Sequence, residues 1–461
     1  MKIKNWFEIV SITPELKYGV EILNILKEYG NAYIVGGSVR DLILERNIND
    51  VDISTNVRIE IIEELFPTHD IGSNKSFGIV IVQYKGHNFE IAQFRIEDVY
   101  SDGRRPDDVQ FVSTFKEDSK RRDFTFNSLA VDGNGNILDY HNGINDLKNK
   151  VIRTVGDPHK RFKEDFLRMI RCVRFSSVLG MTVHEETYNA IIDNVHKIVN
   201  ISQERITAEI FKMAKYKGNI FSYAIRTLFD IGLLKYVMPE IYKMDSFEHT
   251  KNHHPEGLTV LDHILSALEE NVYTDPTLNL CILFHDVGKI ETYELIDGKK
   301  SYHGHDLKGS DMIEDIAQHM KIDNKTKDCM KFCVKNHMKV HLILEMKKSK
   351  IVKLISSPYW STLLRVAYVD DKCRLHLYDQ DRWDSVLAKV EHINEQYANK
   401  ETDALTCIRK VVTGKMVMKI KGITKPCKEI GDIIKTTIEW ISNEDIDLEN
   451  IEEIESYIKM L

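Results

Sequence analysis

Proline is scarce in this chain, 9 in 461 residues, and glycine is modest at 23. Long disordered or low-complexity stretches need more of both, so the composition argues against them. The seven cysteines are scattered, odd in number and without a CxxC pair. That excludes a disulfide scaffold and reads as reduced thiols in a cytoplasm. Cys329 and Cys333 stand at helical spacing, where packing is the expected role. No apolar run is long enough to span a bilayer, and the start, MKIKNWFEIVSITPEL, lacks the apolar segment of a signal peptide. Positive charge is in deficit too. With a net charge of −8, any nucleic-acid binding must come from a local patch.

What is present describes a soluble globular protein, 43% hydrophobic and 29% charged. A chain this long exceeds one ordinary core, and two to four domains are expected. Up to about Tyr140 short β-like runs alternate with turns: NAYIVGG, NDVDIS, FGIVIVQY, NFEIAQF, NSLAVD and GNILDY. YKGHN between two of them is a hairpin signal. From about Asp157 the periodicity becomes helical, and it stays so through a stretch rich in histidine and aspartate, His249 to about His376. An α/β head before an all-α body is the coarse expectation.

The run YIVGGSVRDLILERNINDVDIS (Tyr33 to Ser54) carries the first chemistry. Gly36, Gly37 and Ser38 form a strand-to-helix turn that opens the helix VRDLILE. Backbone N–H groups at such a start can hold phosphate oxygens, and Arg40 adds a bidentate donor. Asp50 and Asp52 alternate with Val51 and Ile53, so on a strand both carboxylates share one face. Two such carboxylates beside phosphates suit divalent cations that clamp an attacking hydroxyl and a leaving pyrophosphate.

Glycine turn, arginine and DxD together resemble motif A of the tRNA nucleotidyltransferase and bacterial poly(A) polymerase family, in the DNA polymerase β superfamily. YSDGRRP (Tyr100 to Pro106) is similar to the family's flexible loop, RRDFTFNSLA to its next motif, and DPHKRFKEDFLRMIRCVRF to its nucleotide-reading helix. TGKMVMKIKGITKPCKEIGDII resembles the C-terminal segment of the tRNA enzymes. The resemblance implies an α+β fold: a DNA polymerase β-type head over 1–150, a helical neck over 151–248, an HD-type body over 249–376 and a tRNA-binding tail over 377–461. It implies template-independent addition of the tRNA 3′-terminal CCA from CTP and ATP, with Mg2+ at Asp50 and Asp52. Glu90, on the neighbouring strand, is the candidate third carboxylate. Gly37, Arg40 and Arg122 are expected to meet the nucleotide's phosphates, and Asp123 its ribose 2′-hydroxyl.

In EDFLRMIRCVRF, Asp165, Arg168, Arg171 and Arg174 recur every three residues beside an apolar stripe. An ordinary helix of i,i+3 ion pairs would look the same. Base chemistry sharpens the reading. Cytosine and adenine present an amino donor next to a ring-nitrogen acceptor, whereas uracil and guanine present the reverse. Asp165 beside Arg168, acceptor beside donor, matches C and A. The protein itself would act as template.

LDHILSAL, LFHDVGKIE, YHGHD, KNHM and AYVDDKCR resemble the HD phosphohydrolase pattern. His263, His285, Asp286 and Asp370, with Asp371 as the alternative to Asp370, are then ligands for a divalent transition metal. His305 and His337 would support a second metal or bind phosphate. The basic runs EMKKSKIVK and TGKMVMKIKGITKPCK stand out in an acidic chain. Backbone phosphate contact is expected of the second, and a solvated face of the first. The rival expectations are an enzyme adding only A, a poly(A) polymerase, and an HD hydrolase whose head merely binds RNA.

Overall fold

The β-branched runs of the first third assemble into one sheet. In the computed structural model, which describes residues 2–461 apart from Asn49, 70–76, 98–108, 250–254, 399–403 and Asp445, this sheet has seven strands. They are β1 (Ala32–Val35), β2 (Asp52–Thr55), β3 (Thr68–His69), β4 (Ile79–Tyr84), β5 (His87–Gln93), β6 (Ala130–Val131) and β7 (Ile137–Leu138). Their order across the sheet is β3-β4-β5-β2-β1-β6-β7. Every ladder is antiparallel except β2 with β5. Ile34, Val39, Val51, Ile53, Phe89 and Ile91 are buried, which fixes the register, since a one-residue slip would expose them. YKGHN makes the expected hairpin: Tyr84 pairs with His87, and Lys85 and Gly86 both take positive φ, 49° and 84°. Tyr100 to Pro106 lies outside the described residues.

By compactness the chain forms two units, Met1–Met213 with Tyr223–Pro239 and Ala214–Ser222 with Glu240–Leu461. In the first, helix α1 (Gly37–Ile43) follows β1, and α2 (Pro158–Glu164), α3 (Leu167–Leu179) and α4 (Gln203–Ala214) follow the sheet. The EDFLR stretch is not one continuous helix. α2 ends at Glu164, and Asp165 takes extended backbone, φ −154° and ψ 105°. Its carboxylate accepts the Leu167 amide at 3.1 Å. A short polar side chain that satisfies an early amide of the next helix is why the break falls there.

The second unit carries α5 (Val260–Glu269), α6 (Pro276–Phe284), α7 (His305–His319), α8 (Asn324–Val340), α9 (Trp360–Lys372), α10 (Gln380–Ala398), α11 (Gly414–Lys421) and α12 (Lys428–Glu444). One expectation fails here. The histidine-rich stretch is not wholly helical, because Glu294–Ile296 and Lys299–Ser301 pair as a two-stranded hairpin. Asp297 and Gly298 turn it, at φ 51° and 73°, and an Asp-Gly pair is a strong hairpin signal. Cys281, Cys329 and Cys333 are buried together as free thiols. No helix among the described residues is long and apolar enough to cross a membrane.

Candidate active sites in the two units

Gly36 leaves β1 at φ 70°, a conformation that favours glycine, and turns the chain into α1. Ser38 Oγ donates to the Asp50 carbonyl at 2.8 Å and ties that turn to the acidic strand. Asp52 pairs with Val35 on one side, and the parallel register Ile53 to Ile91 brings Glu90 alongside it on the other. All three carboxylates, Asp50, Asp52 and Glu90, are exposed, opposite the buried Val51, Ile53 and Ile91. Although Asp52 reaches solvent, the atoms crowded around its carboxyl strip part of its water, which raises its pKa first; Glu90 and Asp50 add to this against Arg122, pushing it up to about 6. A cluster that resists its own charge, with oxygen donors only, fits a hard divalent cation.

A cavity of about 610 Å³ opens over Asp50 and Asp52. Among the described residues its lining carries eight Arg and Lys side chains against four Asp, a surplus suited to a polyphosphate. Arg40 is clamped to Asp41 at 2.9 and 2.7 Å and reaches Asn127 Oδ1 at 3.0 Å. Arg122 holds Ser54 Oγ and the buried Asp118, each at 3.1 Å, while its buried Nε has no hydrogen-bond partner. Burial alone would raise the Asp123 pKa. Arg171, donating at 2.9 and 2.6 Å, outweighs that and holds it down at about 2.

Asp165 and Arg168 are each braced from behind. Arg205 grips both Asp165 oxygens at 3.2 and 2.7 Å. Arg168 Nη1 meets Glu164 at 2.5 Å and the Arg161 carbonyl at 2.8 Å, and Nη2 meets the Arg121 carbonyl at 3.1 Å. Among the described residues these bonds leave a lone pair on Asp165 Oδ2 and leave Nε–H and one Nη2–H on Arg168. Arg174 lies over the Phe175 ring and binds the buried Glu209 at 2.6 Å.

The second unit has its own centre. His285, His305 and His337 donate from Nδ1 to the carbonyls of Ile282, Tyr302 and Val334, at 2.8, 3.0 and 2.8 Å. A carbonyl only accepts, so each neutral ring turns a bare Nε2 inward. His305 and His337 meet Nε2 to Nε2 at 3.2 Å, a distance at which the two lone pairs must share either a proton or a metal ion. The His285 Nε2 is buried and, among the described residues, has no hydrogen-bond partner. Asp286 faces both groups: Oδ1 lies 3.3 and 3.7 Å from His305 and His337, and Oδ2 lies 3.4 and 3.7 Å from His285 and His263. Asp370 Oδ1 is 2.9 Å from His263 and 3.7 Å from His285. Glu256 accepts from His263 Nδ1 at 2.6 Å, as a carboxylate behind a metal-binding histidine does. Burial lowers the His285 pKa, but Asp286 and Asp370 carry it up to about 9. The donor set fits a divalent transition metal.

Gly288 lets this centre close. A Cβ there would sit 2.0 Å from the His305 carbonyl oxygen, so only glycine lets the HDVG turn approach the start of α7. Asp370 and Asp371, left open by the sequence, diverge. Asp370 faces histidines, whereas buried Asp371 accepts from Trp383 Nε1 at 2.7 Å and pairs with Arg374 and Arg382 at 3.3 and 3.6 Å.

Comparison with known proteins finds matches to both the sequence and the fold. The family described as the Poly A polymerase head domain matches residues 32–153, and the probable RNA and SrmB-binding site of polymerase A matches 180–244. A CCA-adding enzyme of Lactobacillus helveticus is 51% identical over 193 residues, 42% of this chain and 48% of that one. That of Bacillus subtilis is 41% identical over 253 residues, 54% of this chain and 63% of that one. The crystal structure of the Bacillus stearothermophilus CCA-adding enzyme in complex with CTP superposes with a TM-score of 0.72 at 26% identity, covering 97% of this chain and 98% of that one. Over its head the chain is thus similar to poly(A) polymerases, and over about half its length to CCA-adding enzymes. Its match spans about half the length of the curated relatives.

Several residues of the two candidate sites escaped the sequence reading. Glu164 stood in the quoted EDxxR run, four residues before Arg168, and that spacing was the available signal. Arg205 and Glu209 lie about 40 residues from their partners on another helix, where no local pattern marks them. Glu256, His341 and Lys289 were also passed over. Lys289 meets Asp286 at 2.5 Å and His341 meets Asp370 at 3.3 Å.

Proposed function

We propose that this chain adds the 3′-terminal CCA to tRNA, one nucleotide at a time, from CTP and ATP and without a nucleic-acid template, releasing pyrophosphate. The observation that carries the reading is the braced Asp165–Arg168 pair in the same cleft as Asp50 and Asp52. Asp50, Asp52 and Glu90 would hold Mg2+, which supplies an activated 3′-hydroxyl and charge neutralisation at the leaving pyrophosphate. Arg40, Arg122, Arg171 and Arg174 bind and orient the triphosphate beside the turn at Gly37. Asp123, fixed by Arg171, faces the ribose. Asp165 accepts from the exocyclic amino group of C or A, and Arg168 donates to the adjacent ring nitrogen. Residues 1–150 then form the head, 151–248 the neck, 249–376 the HD body and 377–461 the tail, with the work done in the cytoplasm. Incubation with tRNAs lacking CCA, CA or A and each nucleotide separately tests it: C, C and A should enter in order and stop. Addition of A alone, or of A in long runs, would replace this reading with its A-adding or poly(A) rival.

Base choice gives a sharper measure. Asp165→Ala and Arg168→Ala are expected to lower the CTP-to-UTP preference roughly ten- to a hundredfold, the worth of a hydrogen bond to a charged group. Single-turnover rates on tRNA lacking CCA measure this. If the arginine only held phosphate, both nucleotides would slow alike and the ratio would stay put.

A second activity is favoured by the inward Nε2 atoms around Asp286. We propose that His263, His285, Asp286 and Asp370 hold a divalent transition metal and His305 and His337 a second. Such metals supply an activated water for phosphoester hydrolysis. Lys289, paired with Asp286, lines the same pocket, where it can orient an anionic substrate.

A further inference from the structure

A pocket of about 310 Å³ opens onto the histidine centre of the second unit. Besides Asp286, Asp370 and histidines, Lys289, Arg374 and Arg382 line it, and among the described residues no Phe, Tyr or Trp does. Both arginines are tied to a single buried carboxylate, Asp371, which the Trp383 indole N–H also holds. Arg382 is fixed again by its bond to the His341 carbonyl. Arg374 lies on one oxygen of that carboxylate and Arg382 on the other, which sets the direction of both guanidinium groups at the pocket wall. Resting on the proposal of a metal-holding hydrolase centre, we infer that Arg374 and Arg382, positioned by Asp371, form a clamp for the dianionic end of a phosphomonoester and select it over diesters.

The selectivity follows from charge and shape. A monoester offers two charges and three terminal oxygens, enough for both forks and for the cations beside Asp286; a diester offers one charge and two such oxygens. Asp371 is a positioning residue and touches no substrate.

Calorimetric titration of the full chain, loaded with Mn2+ at pH 8, tests the clamp. Phenylphosphonate stands in for a monoester and its methyl ester for a diester, and metal content is measured in parallel. The wild type should prefer phenylphosphonate. Arg374→Ala and Arg382→Ala should each lose roughly ten- to a hundredfold of affinity for it and little for the methyl ester, with metal content unchanged. Arg374→Lys should recover part of the loss, and Asp371→Asn should narrow the preference without changing metal content. Equal losses for the two ligands, or no loss, overturn the clamp while leaving the metal proposal standing. Failure of the wild type to retain manganese at the histidine centre overturns the metal proposal, and the clamp is then judged on whether the phosphonate preference survives. If the wild type binds neither ligand, the clamp is wrong.

Discussion

Alanine at Asp50 or at Asp52 is expected to slow nucleotide addition by on the order of 10³-fold or more, since cation stabilisation at a phosphoryl centre is worth several kcal/mol and each 1.36 kcal/mol is about tenfold. Affinity for tRNA should change little, because phosphate contacts elsewhere supply it. The structure adds a ranking. Asp52 stands on the ladder between Val35 and the strand of Glu90, and its pKa is pushed up to about 6. Glu90→Gln relieves its largest like-charge neighbour, so it should cost less than either aspartate. Primer-extension rates with tRNA lacking the final A, beside tRNA binding by fluorescence anisotropy, measure both quantities. Activity within tenfold of wild type in both alanine variants would remove the cation role from this pair.

How much of this could be read beforehand follows from the range of each interaction. Period-two alternation is local, so Asp50, Asp52 and the apolar residues between them were legible, as was the Lys85–Gly86 hairpin. The break at Asp165 was not. The i,i+3 recurrence runs through it without interruption, and only the extended backbone, with its carboxylate on the Leu167 amide, ends one helix and starts the next. Bracing partners were less visible still. Arg205 and Asp165 are 40 residues apart, and their pairing depends on how two helices pack rather than on spacing. The hairpin at Asp297 was legible and was overridden by the helical texture around it. Adjacent residues on a helix point about 100° apart, which is why Asp370 and Asp371 could be told apart only by what each touches.

Asp286 is where one substitution should have the widest effect in the second unit. Its two oxygens face different histidine pairs, His305 with His337 and His263 with His285. Asp286→Asn keeps the shape and an acceptor for Lys289, which matters because a buried lysine stripped of its partner is strongly destabilising. The variant is expected to bind metal more than about a hundredfold more weakly at both places, beyond the roughly ten- to hundredfold that losing an outer partner of a ligand costs. His285→Ala should empty one place and His337→Ala the other. Metal content after dialysis, by emission spectroscopy, separates these three outcomes. CCA addition should persist in all of them, since the carboxylates of the head form a separate ligand set. Loss of addition in a variant still folded by circular dichroism would mean that the two centres are coupled. Retention of full metal content in Asp286→Asn would show that the histidines hold the ions without a shared carboxylate, and each pair would then have to be a self-sufficient site.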